Sequence, residues 1–358
     1  MVTMSRMFVP GPVDVAPEVL QAMTKAMLPH RSKEYEEIHR RAAERVQQIF
    51  YTQYRVFLGS HSGSGMQEAG VRNFAQKSIL CCVNGAFGER WFDCATTNGK
   101  EADRLEAEWG KAILPDPLRD MLKKKHYEAI TIVHNETSTG VENPVQKLCE
   151  VLKETSPDTI IMVDAVSSLG GVKIEMDAWG IDFLLTSSQK CLALPPGLSL
   201  AGVSDRALKK AESVEQRGWY FDLLRMEKHR LKDSTPMTPV IPLIYALDFQ
   251  IDRILAEGLE QRFARHAAMS QKVYDWAIAH EMPPFADETC RSKTVATINN
   301  SRKWVISDLN KFLLQRSLRI ANGYGNLKEI TFRVATMGET SLKDVDDLLA
   351  GFEDFLKQ

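Results

Sequence analysis

Asp182-Phe-Leu-Leu-Thr-Ser-Ser-Gln-Lys190 is a short apolar run that ends on an amine. A continuous apolar run of this length predicts a strand covered on both faces, so Lys190 should emerge in a crevice at the end of that strand. Earlier in the chain, Ile160-Ile-Met-Val-Asp164 delivers a carboxylate by the same device. An amine and an acid at the carboxyl ends of two such strands are what a pyridoxal phosphate enzyme needs. The amine forms a Schiff base with the aldehyde, and the acid keeps the pyridine nitrogen protonated.

Working outward from these two runs, strands are predicted at Tyr54–Leu58, Ser78–Val83, Ala129–Val133, Thr159–Val163, Phe183–Thr186 and Leu198–Val203. Helical spacing of apolar residues alternates with them at Lys33–Phe50, Met66–Gln76, Gly88–Thr97 and Pro144–Thr155, which predicts an α/β domain with a mostly parallel sheet. The arm Phe8-Val-Pro-Gly-Pro12 is expected to be irregular and to lead into a helix near Pro17. Beyond Asp205 a loop-rich stretch, Glu215–Pro242, precedes a long helical region over Ile241–His280 broken at Gly258. The rest is expected as strand (Thr294–Ile298), helix (Val305–Gln315), strand (Glu329–Val334) and helix (Leu342–Leu356), a small α+β domain. These readings divide the chain into an arm over 1–20, a large domain over 21–257 and a small C-terminal domain over 258–358.

Forty-five basic residues against 47 acidic ones leave a formal charge of -2, so electrostatics argue for neither nucleic acid nor an anionic membrane as partner. No window approaches the roughly 20 apolar residues that span a bilayer. Six scattered cysteines show no metal-ligand spacing and suggest a reducing compartment without structural zinc. With no signal-peptide pattern at the start and no targeting tripeptide at the end, the cytoplasm is the expected location.

Four further segments bear on the chemistry. Gly59-Ser-His-Ser-Gly-Ser-Gly65, between a strand and a helix, suits a small phosphate ester, because glycines admit the anion and the helix start offers unpaired N–H groups. It matches neither the Walker pattern nor the dinucleotide fingerprint, and a ligand-free turn explains it equally well. Asn84-Gly-Ala-Phe-Gly88 sets Phe87 either to stack on a planar ring or to fill the core. In His134-Asn-Glu-Thr-Ser-Thr-Gly140, Thr137 or a neighbour could bond the cofactor's phenolic oxygen, while His134 suits a packed strand end better than a general base. Arg333, in Thr331-Phe-Arg-Val-Ala335, offers a fork for a carboxylate or else an edge-strand salt bridge.

Taken in order, these segments resemble the class V aminotransferases of PLP fold type I, closest to the alanine–glyoxylate and serine–pyruvate group. The resemblance runs from Pro10-Gly-Pro12 to Met337-Gly338 and is most specific in four stretches. These are Ser62-Gly-Ser-Gly65 with Glu68, Glu136-Thr-Ser-Thr-Gly140, Val163-Asp-Ala-Val-Ser-Ser-Leu-Gly-Gly171, and Ser188-Gln-Lys190 with Pro195-Pro-Gly197. It implies a large domain with a seven-stranded-type, mostly parallel sheet and a small α+β domain, with pyridoxal 5'-phosphate as cofactor. By that resemblance Lys190 is the Schiff-base lysine, Asp164 pairs with the pyridine nitrogen, and Val166 packs on the ring face opposite Phe87. Ser62, Gly63, Ser64 and Gln189 hold the phosphate. Thr238 reaches it from a second subunit, implying a homodimer with shared sites. Thr235 stands where some relatives carry tyrosine, and Phe87 where several carry tryptophan. Arg333 binds the substrate carboxylate, and Gly11 lines the substrate pocket.

The implied reaction exchanges an amino group between a small amino acid, alanine or serine, and a 2-oxo acid, glyoxylate or pyruvate. Phosphoserine aminotransferase is the main alternative, because Pro29-His-Arg-Ser-Lys-Glu-Tyr35 resembles the segment that binds substrate phosphate there; His30 and Arg31 would serve. A cysteine desulfurase is less favoured, since Gln189 precedes Lys190 and only Cys290 offers a candidate loop thiol. A catalytically silent member of the fold would lack Lys190, Asp164 or the glycine turn, and all are present.

Overall fold

The computed structural model describes residues 5–357. Strands β1 (Arg6–Phe8), β2 (Arg55–Gly59), β3 (Ser78–Val83), β4 (Glu101–Glu106), β5 (Ala129–Val133), β6 (Asn135–Glu136) and β7 (Val141–Glu142) come first. They are followed by β8 (Ile160–Asp164), β9 (Phe183–Ser187), β10 (Ser199–Val203), β11 (Val295–Asn299), β12 (Leu318–Asn322) and β13 (Thr331–Ala335). Seven strands form one sheet in the order β2-β10-β9-β8-β5-β3-β4. All of its pairings are parallel except those of β10, which runs antiparallel to both β2 and β9.

The pleat of β8 explains why its sequence shows no alternation. Ile161 and Val163 enter one apolar cluster with Val46, Leu148 and Leu247, while Ile160 and Met162 enter another with Phe74 and Trp91. Helices cover both faces, so every residue of the strand is buried.

A second sheet, ordered β1-β12-β13-β11, packs its apolar face on the helices Leu259–Ala279, Ile306–Leu314 and Leu342–Leu356. Gly258, at φ +84, separates the helices Ile241–Glu257 and Leu259–Ala279 as its sequence position suggested. The arm is only partly irregular: β1 pairs in parallel with β12 and buries Phe8 in the core of the second sheet.

Strands β4 and β12 and the helices Pro115–Lys124 and Leu223–Arg230 escaped the sequence reading. In β4, an edge strand, only Leu105 is buried, so Glu-Ala-Asp-Arg-Leu-Glu has no apolar run to betray it. β12 buries just Leu318 and Ile320.

Candidate active site

β8 and β9 are parallel neighbours, with Asp164 in register with Leu185. Asp164 therefore ends its strand, and the chain leaves β9 at Ser187 to reach Lys190 one turn later at the same edge of the sheet.

Asp164 is 4% exposed. Its Oδ2 accepts from Gln67 Nε2 at 2.7 Å and Trp91 Nε1 at 3.1 Å, and its Oδ1 from the Val166 N–H at 2.9 Å. Burial pushes this carboxyl's pKa up, against the pull of those donors and of the more distant Arg90 charge. All three hydrogen-bond donors are neutral, so a cation at a remaining lone pair is what would keep the group ionised. Gln67 and Trp91 were not singled out in the sequence. Trp91 follows Phe87 by one helical turn, which was the available signal.

Lys190 turns back toward the N-terminal arm, and its Nζ donates to the Pro10 carbonyl. Burial, reinforced by the nearby charge of Arg333, lowers its pKa to about 8. Gly11 lies directly on this side chain: at φ +88, it would place a Cβ 2.5 Å from Lys190 Cδ and 2.8 Å from Cε. Backbone conformation and contact both demand glycine there.

The glycine turn leaves backbone donors open at the start of a helix. Ser62 is the N-cap of helix Gly63–Phe74, yet its hydroxyl makes no capping bond. Among the described residues nothing accepts from the N–H groups of Gly63 and Ser64, which leaves the positive helix end open. A Cβ on Gly63 would lie 3.0 Å from Val166 Cγ2, so the turn abuts the residue after Asp164's neighbour. Gln189 is nearby in the chain, its Oε1 accepting from Ser187 Oγ at 2.6 Å.

Phe87, half-buried, opens the helix Ala86–Thr97. The N–H groups of Phe87 and Gly88 donate to Glu136 Oε2 at 3.0 and 3.1 Å, while Ser138 Oγ holds Oε1 at 2.6 Å. Glu136 is wholly buried, and burial raises its pKa against these bonds. Thr137 donates to Ser167 Oγ at 2.8 Å. His134 is a packed residue bonded to Ser168 at 2.8 Å, as its sequence context suggested.

Arg333 lies on β13, a central strand between β12 and β11, so the edge-strand salt bridge does not apply. It is 8% exposed, and burial lowers its pKa to about 10. Its Nε donates to Asn322 O at 3.0 Å and its Nη1 to Thr137 O at 3.2 Å. Both acceptors are neutral carbonyls, so among the described residues no anion is bonded to the positive charge. Tyr324 and Arg90, two residues absent from the sequence reading, join this wall. Tyr324's ring is 5.6 Å from that of Phe87 and 5.3 Å from the Arg333 guanidinium. Arg90 lies over Phe87 at 4.7 Å and donates to Tyr324 Oη at 3.3 Å and Ser64 Oγ at 3.4 Å.

A further residue that the sequence did not flag binds the two strand-end turns together. Arg262, 1% exposed, donates to Gly170 O at 2.9 Å and Cys191 O at 2.8 Å while paired with Glu257 at 2.6 Å.

Other candidate residues lie elsewhere. Arg31 donates to Ser234 Oγ at 2.6 Å and to the carbonyls of Thr235 and Pro236 in its own chain. Its neighbour His30 is half-buried. Thr235 is buried and bonds Met237 O at 2.7 Å, whereas Thr238 is exposed. Cys290 is packed beneath Val141 and Ala286, and burial raises its thiol pKa, which suits no mobile catalytic loop.

A profile of the family described as Aminotransferase class-V matches residues 10–335. The chain belongs to the class-V aminotransferase family. It is 36% identical to an uncharacterized aminotransferase of Methanocaldococcus jannaschii, covering 98% of this chain and 92% of that one. It is 30% identical to a serine–glyoxylate aminotransferase of Arabidopsis thaliana, covering 98% of this chain and 90% of the relative. The solved structure of an alanine–glyoxylate aminotransferase from Nostoc sp. matches with a TM-score of 0.94 at 27% identity, over 99% of this chain and 96% of that one. This class-V aminotransferase is accordingly a pyridoxal-phosphate-dependent enzyme of fold type I.

Proposed function

We propose that this aminotransferase exchanges the amino group of a small donor, alanine or serine, with glyoxylate or pyruvate. The observation that carries the reading is the convergence on Lys190 of Asp164, at the end of the neighbouring strand, and Arg333, bonded to the Thr137 carbonyl; both charges act on the lysine amine. Arg333 supplies a buried fork for the carboxylate common to all 2-amino and 2-oxo acids. The names of the Arabidopsis and Nostoc relatives support glyoxylate as an acceptor and serine or alanine as a donor. Arg31 favours the simple donors over phosphoserine, since its guanidinium is occupied by Ser234, Thr235 and Pro236.

The residues present fit the cofactor. Ser62, Gly63 and Ser64 leave a free hydroxyl and free N–H groups for its phosphate, with Gln189 beside them. Asp164, fixed by neutral donors alone, matches a protonated ring nitrogen, and Phe87 and Val166 would flank the ring. Thr137 is the candidate for the phenolic oxygen, and Lys190 would hold the aldehyde carbon as a Schiff base. When bound, pyridoxal phosphate supplies an electron sink that acidifies the donor's Cα–H.

The chain's own groups do the rest. Arg333 orients the donor by its carboxylate, while Gly11 and Pro10 close the crevice over Lys190. With a pKa near 8, the Lys190 amine is neutral often enough near neutral pH to take the proton from the donor's Cα and to release it again nearby. A homodimer with shared sites is part of the proposal, and the exposure of Thr238, on a segment beside Ser60 and His61, supports it. Six free thiols suit a reducing compartment, and the cytoplasm is proposed on that ground.

The test is a half-reaction. The yellow holoenzyme is mixed separately with alanine, serine, aspartate and phosphoserine, and conversion to the amine form is followed by absorbance. Fast conversion with alanine or serine, reversed by glyoxylate, is expected. A rate that strongly favours phosphoserine overturns the assignment.

A further inference from the structure

We infer that Tyr324 is the specificity-determining wall of the amino-donor pocket, selecting donors with small side chains. This rests on the reading of Arg333 as the carboxylate fork. A donor bound there must accommodate its side chain beside the aromatic ring that occupies the space between Arg333 and Phe87, at 5.3 and 5.6 Å from each.

That ring is fixed from three directions. Its hydroxyl accepts from Arg90 at 3.3 Å, and Arg90 in turn lies on Phe87 at 4.7 Å. The turn beneath it is tightly packed: a Cβ on Gly323 would lie 1.9 Å from Leu327 O, so the backbone there demands glycine. Asn322 Oδ1 braces the same turn by accepting from the N–H groups of Gly323 and Glu329 at 2.7 and 2.9 Å. Asn322 also supplies the carbonyl that holds Arg333 Nε at 3.0 Å. Fork and wall are therefore linked through Asn322, and a bulky donor that pushes the ring and its turn aside disturbs its own carboxylate site.

The physical basis is exclusion. A pocket that fits one side chain discriminates against a larger one by overlap with fixed atoms, and a single methylene in such a pocket is worth roughly 10- to 200-fold in kcat/KM. Replacing the ring by a smaller, flexible side chain removes the obstacle and leaves the carboxylate fork and Lys190 in place.

The experiment measures kcat/KM of the holoenzyme for alanine, serine, leucine and phenylalanine with glyoxylate, in wild type, Tyr324→Leu, Tyr324→Phe and Tyr324→Trp. Cofactor absorbance and thermal midpoint establish that each variant is folded and loaded. In Tyr324→Leu the leucine-to-alanine ratio should rise about 10-fold or more. Tyr324→Phe keeps the ring and should hold that ratio within about threefold of wild type. Tyr324→Trp narrows the space and should lose serine relative to alanine, which tests the wall even if the leucine variant folds poorly. Unchanged donor ratios in Tyr324→Leu and Tyr324→Trp, with alanine turnover intact in wild type, overturn the wall alone. A wild-type enzyme that turns over neither alanine nor serine overturns the donor reading itself.

Discussion

Replacing Lys190 by Met should make the cofactor-free chain more stable at neutral pH while abolishing its activity. A lysine ordinarily holds its proton up to about 10.5, but burial in the folded chain brings Lys190 down to about 8. At about 1.4 kcal/mol per pH unit, that gap amounts to about 3 kcal/mol of instability when the amine is charged. Methionine is unbranched and of similar length, so it fills the same space, but it gives up the bond to the Pro10 carbonyl, worth about 1 kcal/mol. The variant should therefore gain about 2 kcal/mol at pH 7.

The sign with pH is fixed. Between about 8 and 10.5 the unfolded chain binds the extra proton, so wild-type stability climbs with pH across that window and the full penalty stands below it. By pH 10.5 the advantage of methionine should be gone and wild type should lead slightly. Urea titrations of the two apo forms at pH 7 and pH 10.5, read by tryptophan fluorescence, measure both differences. An equal stability gap at the two pH values, or a wild type that is the more stable at pH 7, would falsify the assignment of a buried, strained amine. Transamination in the same variant should drop by several orders of magnitude, since methionine can neither form the Schiff base nor carry a proton.

Three further outcomes follow from the site. Asp164→Asn keeps the shape but removes the charge, and kcat should fall at least about 100-fold with little change in cofactor phosphate contacts; near-normal turnover would exclude a role for the carboxylate. Arg333→Lys replaces a planar fork by a point charge and should raise KM for donor and acceptor alike by about 10-fold or more, measurable from steady-state curves at fixed cosubstrate. Gly11→Ala should destabilise the arm by about 1–2 kcal/mol for the left-handed backbone alone, and the clash with Lys190 Cδ should slow cofactor loading. Loading at the wild-type rate in a folded Gly11→Ala enzyme would show that the arm yields freely.

What the sequence disclosed follows from which signals are local. Lys190 and Asp164 stood out because each ends a run whose burial on both faces leaves no alternation, and the sheet places those runs side by side. The glycine turn was legible because all of its residues are contiguous in the chain. Gln67, Trp91 and Tyr324 were not, since each acts on a partner far along the chain and sits in an ordinary amphipathic or turn context. Arg262 is the extreme case: on a helix face it looks like any charged residue, yet it is almost wholly buried, bonded to a carbonyl in each of two remote turns and paired with Glu257. Arg333 was legible as a charge within an apolar strand, but its two readings could be separated only by the sheet order, which puts β13 in the interior.

The pairing of Arg6 with Leu318 has a consequence for biogenesis. β12, the partner of the first described strand, is synthesised after every strand of the seven-stranded sheet, so the segment bearing Pro10 and Gly11 should wait, unmated, while that sheet assembles. Until that late docking, Lys190 lacks its cover. Cofactor capture should therefore follow the synthesis of β12, and a bulky fusion placed ahead of Arg6 should impair it more than one placed after the last described helix.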